Sequence, residues 1–311
     1  MSIKIAGIGS YLPEKILTNS HIDDIGLGTN DEWTYKNLGI LERRISGENE
    51  LSSDLAVNSS LKAIEDAGLQ VEDIDFIIMA TSTPDRISPS TACLLQEKIG
   101  AFNAACVDVN AVCPGFLYGL QIAKGLLSIG QYKNILLVAA ETYSKITDWN
   151  RRDCVFFGDG SGAVVLQSDI ENYCEIDLYA DGRGKDAFTV KHGEKFSMLG
   201  KEIYNGGTTK LPQSIINLLD RTGVDKSKII HIVPHQPSIN ILKKTAEILD
   251  VDFSKFALTM DKYANTAGAS IPVTLDDLYK QNKLNNGDLL LLTTIGSGWT
   301  WGSGLIKWTK K

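Results

Sequence analysis

One set of side chains in this sequence is suited to carbon–sulfur chemistry: Cys113, His235 and Asn265. Cys113 closes the strand-like run VDVNAVC, and Pro114-Gly115 follow before the apolar positions Phe116, Leu117 and Leu120. Proline is favoured at the first helical position, where its missing N–H costs nothing. Cys113 is therefore expected at or just before a helix N-terminus, where the dipole and free N–H groups favour a thiolate. The ordinary role of cysteine is a small buried hydrophobe, and Cys93, Cys106, Cys154 and Cys174 fit that role better.

Only four histidines are available as a partner. His235 follows Pro234 at the end of the run KIIHIVP, a place from which loops commonly present catalytic side chains. His231 lies within that run and is expected to be a core histidine, His192 is expected in a surface loop, and His21 belongs to the N-terminal segment. Asn265, in YANTAG, is neutral at every working pH and donates through its amide. Together with a neutral imidazole it would hold a carbonyl oxygen as that oxygen becomes an enolate. A Cys–His–Asn hydrolase uses the same residue types, the asparagine orienting the histidine, so residue types alone leave both chemistries open. The clusters Gly158-Asp159-Gly160-Ser161-Gly162 and Gly296-Ser297-Gly298 match neither G-x-G-x-x-G nor a Walker loop. They predict close backbone packing against a site, with N–H groups forming an oxyanion hole beside Cys113.

The elements that must position these groups recur along the chain. Val107–Leu120 reads as strand, tight loop and helix start; Gly130, the strand NILLVAAETYS and then GDGSGAVVLQ follow. The last third repeats the order: FALTMDKYANTAGASIPVTLDDLYK, Gly287, DLLLLTTIG and GSGWTWGSGLIKW. Such an echo predicts two halves, 1–170 carrying the cysteine and 171–311 carrying the histidine and asparagine. If they pack about a pseudo-twofold axis, the loops NAVCPG and YANTAG face each other across a cleft. Strands dense in Val, Ile and Leu, alternating with helices, point to an α/β fold with largely parallel buried sheets.

Composition narrows the classes. The 311 residues are 43% hydrophobic and 22% charged, which excludes a disordered chain or a coiled coil. The most apolar useful stretch, ILLVAA, is far too short to span a bilayer, and the N-terminus lacks a secretory pattern. A net charge of −7 argues against a nucleic-acid or anionic-membrane partner. Five cysteines without C-x-x-C or zinc spacing argue against a disulfide scaffold or metal site. A reducing, cytoplasmic location is expected.

Five ordered blocks, VNAVCPGFLYGL, FFGDGSGAVVL, PHQPSINIL, YANTAGASIPVTL and GSGWTWGSGLIKW, resemble the signatures of beta-ketoacyl-acyl-carrier-protein synthase III. The N-terminal IAGIGSYLPE, the NDEW segment and LGILERRI extend the resemblance over essentially the whole chain. It implies the thiolase fold, two similar halves in a five-layered αβαβα arrangement, and a homodimer. It further implies that Cys113 accepts the acyl group from an acyl-CoA and that His235 and Asn265 assist decarboxylation of malonyl-acyl carrier protein. The amides of Cys113 and Ser297 would form the oxyanion hole, while Trp33 and Arg151 would flank the coenzyme A adenine. No metal or other cofactor is implied.

Several positions depart from the family pattern. Pro114 follows the cysteine, Asn240 replaces an arginine that helps bind coenzyme A and carrier protein, and Glu247 and Ile248 stand where basic residues are common. Asn37 stands at a usually basic position near Trp33. In the loop TPDRISP, Ile87 and Ser88 are the expected acyl-pocket residues, Ser88 replacing a bulky aromatic that acts across the dimer. These departures point to a longer or atypical acyl group in a specialised pathway. An acyltransferase moving the Cys113-bound group to a hydroxyl or amine, without decarboxylation, is the alternative within the same fold.

Overall fold

The apolar runs form the strands, and a computed structural model describes residues 2–23 and 26–310. The first part of the chain contains β1 (Ile3–Tyr11), β2 (Lys15–Thr18), α1 (Asn19–Asp23), α2 (Asp31–Leu38), β3 (Glu42–Ile45) and α3 (Ser52–Asp66). Next come β4 (Phe76–Ala80), α4 (Thr91–Ile99), β5 (Ala105–Val109), α5 (Gly115–Ser128), β6 (Ile135–Glu141) and β7 (Gly160–Ser168). The later part contains β8 (Cys174–Ala180), β9 (Phe188–Thr189), β10 (Ser197–Met198), α6 (Gly200–Thr222) and β11 (Ile229–Pro234). It closes with α7 (Ile239–Leu249), α8 (Met260–Tyr263), α9 (Ser270–Lys280), β12 (Leu289–Gly296) and β13 (Thr300–Lys307).

Two main sheets result, in the orders β1-β7-β6-β4-β5 and β8-β13-β12-β11. The four strands of the second correspond in order to β1, β7, β6 and β4 of the first, and β5 has no full counterpart. Alternation along β4 shows how the layers separate: Ile78 and Ala80 point to one core, Ile77 and Met79 to another. The first core lies between the sheets and is filled by α5 and α9, with Phe116, Leu120, Ile271 and Leu275 packed among strand residues of both. Helices α3 and α4 cover the outer face of the first sheet through Leu55, Ala63 and Leu95. Helices α6 and α7 cover that of the second through Leu211, Leu218 and Leu242. The stacking is αβαβα.

Three expectations are corrected. The sheets are mixed rather than largely parallel: β4 pairs in parallel with β5 and β6, and β11 with β12, but β7 and β13 pair antiparallel on both sides. For β13 the cause is the short return from β12, which leaves no room for the crossover a parallel pair needs. FALTM, expected as a strand, is reduced to a single bridge between Phe256 and Ile232. Backbone groups there are taken by Gln236, whose Oε1 accepts from the Thr259 and Met260 N–H groups (3.0 and 3.1 Å) and whose Nε2 donates to the Ala257 carbonyl (3.2 Å). With that strand missing, β11 is an edge, and His231 is half-buried rather than in the core, its Nε2 lying 3.2 Å from the Lys283 carbonyl.

Candidate active site

Cys113, His235 and Asn265 come together. All three line one cavity of about 210 Å³, and they are 7%, 2% and 5% exposed. Cys113 sits on the turn from β5 into α5, with Pro114 capping the helix that starts at Gly115. Asn265 sits on the equivalent turn before α9. Each turn carries non-glycine backbone at positive φ: Val112 (54°) before the cysteine, and Ala264 (55°) and Ala267 (47°) on either side of the asparagine. A non-glycine residue adopts this left-handed conformation only at a cost of about 1–3 kcal/mol, so the surrounding structure must hold it in place. For the Asn265 turn the holder is the glycine cluster. The Asn265 N–H donates to the Phe156 carbonyl, and the Gly158 N–H donates to the Asn265 carbonyl, each at 3.1 Å. A Cβ on Gly158 would lie 2.5 Å from the Tyr263 carbonyl oxygen, so only glycine permits this approach. Asp159 locks the segment to its neighbours by accepting from the Ser46 N–H (2.8 Å) and hydroxyl (2.7 Å) and the Ser144 N–H (2.8 Å).

Hydrogen bonds assign the direction of each polar group. His235 Nδ1 accepts from the Ile295 N–H at 3.4 Å, so the neutral ring carries its proton on Nε2. Burial lowers the His235 pKa to about 3, which keeps the imidazole neutral in the working range. Asn265 Oδ1 accepts from the Ala267 N–H (2.8 Å) and the Ser270 hydroxyl (3.4 Å). Its Nδ2 has no partner among the described residues and is a free donor. Gly296 brings the end of β12 against the nucleophile: a Cβ there would lie 3.0 Å from the Cys113 nitrogen and 2.6 Å from Pro114 Cδ. The Ser297 hydroxyl donates to the Phe188 carbonyl, and Thr300 Oγ1 donates to the carbonyls of Ala111 (2.9 Å) and Ser297 (3.0 Å). The backbone amides of Cys113 and Ser297 are unpaired among the described residues.

The expected thiolate is opposed by burial. Desolvation pushes the Cys113 thiol well up, and the nearby Glu141 carboxylate adds to the shift, against a lowering from the Cys113 backbone N–H. Burial thus works against the thiolate that the helix terminus favours, while at His235 it favours the neutral imidazole.

Trp33, on α2, and Asn240, on α7, line the outer part of the cavity together with Asn37. Arg151 and Arg152 border an adjoining depression beside Trp33. The guanidinium over the Trp33 ring belongs to Arg152, 4.2 Å from the centroid, whereas Arg151 pairs with Asp153 at 2.7 Å. Ile87 is 84% exposed and lines a second, open cavity of about 840 Å³. Ser88 is exposed as well, and neither residue lines the cavity that holds Cys113.

Sequence reasoning missed three groups. Glu141 is fully buried at the end of β6, where burial raises its pKa to about 7 although Thr83 Oγ1 (2.7 Å) and the Ser82 N–H and hydroxyl donate to it. The signal was present: a lone acid ends the otherwise apolar strand ILLVAAE. Arg43 is fully buried and donates to the Leu17 (3.1 Å) and Val155 (3.0 Å) carbonyls and to Asn19 Oδ1 (2.8 Å). Tyr143 is also fully buried, and it borders both cavities.

Two duplicated halves, one presenting a sulfur nucleophile and the other two amide or imidazole donors, define the thiolase-fold condensing enzymes. A family model described as 3-oxoacyl-[acyl-carrier-protein] synthase III matches residues 107–182, and the model of its C-terminal part matches residues 219–308. The beta-ketoacyl-[acyl-carrier-protein] synthase III of Oceanobacillus iheyensis is 40% identical over the full length of both chains. That of Clostridium acetobutylicum is 42% identical over 99% of each. The crystal structure of the Aquifex aeolicus 3-oxoacyl-[acyl-carrier-protein] synthase III superposes with a TM-score of 0.95 at 36% identity, covering 99% of this chain and all of that one. The chain belongs to the 3-oxoacyl-[acyl-carrier-protein] synthase III family.

Proposed function

We propose that the protein is a condensing enzyme of fatty acid biosynthesis that takes an acyl group from acyl-CoA onto Cys113 and extends it with malonyl-acyl carrier protein. The observation that carries this reading is the convergence of the Cys113 thiol with the free His235 Nε2–H and Asn265 Nδ2–H in one buried cavity. In the first step the Cys113 sulfur bonds to the thioester carbon, the bond to coenzyme A breaks, and the thiol proton leaves with coenzyme A. The amides of Cys113 and Ser297 hold the oxygen that becomes negative. In the second step the malonyl group loses carbon dioxide, and His235 and Asn265 hold the enolate oxygen. The enolate carbon then bonds to the acyl carbon, the bond to Cys113 breaks, the sulfur takes up a proton from solvent, and the β-ketoacyl group leaves on the carrier protein. A neutral imidazole suits this task because it donates a hydrogen bond without bringing a charge into a buried site. The scheme needs no metal or redox cofactor.

Trp33 with Arg152 and Arg151 would hold the adenine of coenzyme A, and Asn240 the outer part of its arm. Ile87 and Ser88 would act at the acyl end only through a dimer, which we also propose. In its support, β5 is a sheet edge with a half-exposed Val107, and Ile87 and Phe102 stand exposed nearby. A cytoplasmic setting suits the five free thiols. The reading is tested by intact-protein mass spectrometry after incubation with acyl-CoAs, followed by measurement of carbon dioxide released from malonyl-acyl carrier protein. An acyl adduct absent from Cys113→Ala, and carbon dioxide above that variant's background, are expected. An adduct without carbon dioxide release overturns condensation in favour of acyl transfer.

A further inference from the structure

The cavity that holds Cys113 lies between two others. At one end it shares Trp33, Phe156, Met198 and Gly200 with the depression beside the arginines. At the other it shares Val112, Tyr143, Phe188 and Ser297 with the open cavity bordered by Ile87. A thioester whose nucleotide end lies at Trp33 therefore points its acyl chain at these last four residues. Of the four, Tyr143 is held both by ring packing and by a side-chain hydrogen bond. Its ring stacks on Phe157 (centroids 4.4 Å apart, planes at 18°) and faces Phe188 at 6.3 Å. Phe157 and Phe188 each pack in turn on Phe196, at 5.2 and 5.4 Å. The Tyr143 hydroxyl lies 2.9 Å from Ser82 Oγ, and Ser82 is itself bound to the buried Glu141 carboxylate through N–H and hydroxyl. Swinging the ring aside would break the stack and leave polar groups without partners, so this wall does not yield as a flexible side chain would.

We infer that Tyr143 is the specificity-determining residue for acyl length: its ring is the partition that stops the chain behind Cys113, and Ser82 and Glu141 hold it there. The inference rests on the condensing-enzyme reading and gives it a substrate class, a short acyl group, in place of the longer one the Ser88 replacement suggested. A pocket wall discriminates by roughly 10–200-fold per misfitting methylene. The experiment measures kcat/KM for Cys113 acylation by acetyl-, butyryl-, hexanoyl- and octanoyl-CoA, read as intact mass against time. For the wild type, kcat/KM should fall at least about 10-fold from butyryl to octanoyl. Tyr143→Ala should flatten that fall, and Tyr143→Leu, which keeps apolar packing against Phe157, should admit hexanoyl, each read within one variant as the ratio of its longer-chain to its acetyl kcat/KM. Tyr143→Phe keeps the stacked ring but loses the tie to Ser82, so it should relax the fall by less than Tyr143→Leu does. An unaltered profile in both Tyr143→Ala and Tyr143→Leu, or a wild type that takes octanoyl as well as acetyl, overturns the partition. If no acyl-CoA labels the wild type at all, the condensing reading itself fails, and the inference falls with it.

Discussion

Gly296→Ala tests whether close approach of β12 to the nucleophile turn builds the oxyanion site. The added Cβ would lie 2.6 Å from Pro114 Cδ, where ordinary contact begins at 3.4 Å, so the two segments must part by 3.4 − 2.6, or about 0.8 Å. Neither segment is free to give. Thr300 ties the β12–β13 turn to Ala111, two residues before the cysteine, and Ser297 is tied to Phe188. The separation opens between the Cys113 and Ser297 amides, which must converge on one oxygen. A displacement near 1 Å, or loss of one such donor, costs about 10²-fold in rate, equivalent to ~2.7 kcal/mol. The same overpacking should cost about 1–3 kcal/mol of stability. Gly125→Ala is the control, because Gly125 lies on the same helix as the cysteine turn with nothing within 4 Å of an added Cβ. It should gain up to about 1 kcal/mol and leave acylation unchanged. The assay is single-turnover acylation by rapid quench and intact mass, with urea unfolding to establish the folded fraction. A folded Gly296→Ala protein that acylates within about threefold of wild type would refute the reasoning.

Four further outcomes follow from the geometry. Asn265→Ala should form acyl-Cys113 normally but release carbon dioxide from malonyl-acyl carrier protein about 10²–10³-fold more slowly; equal loss of both steps would contradict the separate roles. Arg152→Ala should raise KM for acyl-CoA about 3–30-fold and leave acyl-pantetheine unaffected, with Arg151→Ala smaller in effect, because the stack on Trp33 belongs to Arg152. Glu141 has its folded pKa raised to about 7 by burial, so folding binds a proton between the usual carboxylate value and that one. Its contribution is complete below about pH 4.5 and lost above about 7, so wild-type stability relative to Glu141→Gln should decline by about 3 kcal/mol across that window, measured by urea unfolding. A pH-independent difference would contradict it. Arg43→Met leaves the Leu17 and Val155 carbonyls and Asn19 without their donor and should cost about 2–4 kcal/mol, a fall of several degrees in Tm.

Cys113, His235 and Ser297 were legible as candidates in the sequence because each lies beside a strand end or helix start, marked by Pro114-Gly115, Pro234 and the Gly296-Ser297-Gly298 cluster, whereas Asn265 follows no strand and was legible only through its loop. The duplication was legible because element order survives even where identities do not. Strand direction was not, since Val-rich strands look alike in parallel and antiparallel pairings; the short β12–β13 return decides it for β13, and no such cue marks β7. The missing strand at Phe256 depends on a side chain, Gln236, more than twenty positions from the amides it takes. Choosing between Arg151 and Arg152 required knowing which of two neighbours Asp153 claims. Tyr143 reads as an ordinary aromatic until two cavities are found on either side of it.

Both turns that approach the shared cavity hold a non-glycine residue at positive φ, Val112 in the first part of the chain and Ala264 in the later part. Here one mounts sulfur and the other an amide. The cavity is therefore a broken symmetry, to which the first part of the chain brings a thiol and the later part an imidazole and an amide. Neither part holds the full set, so the seam between them is what a substitution in either must leave intact.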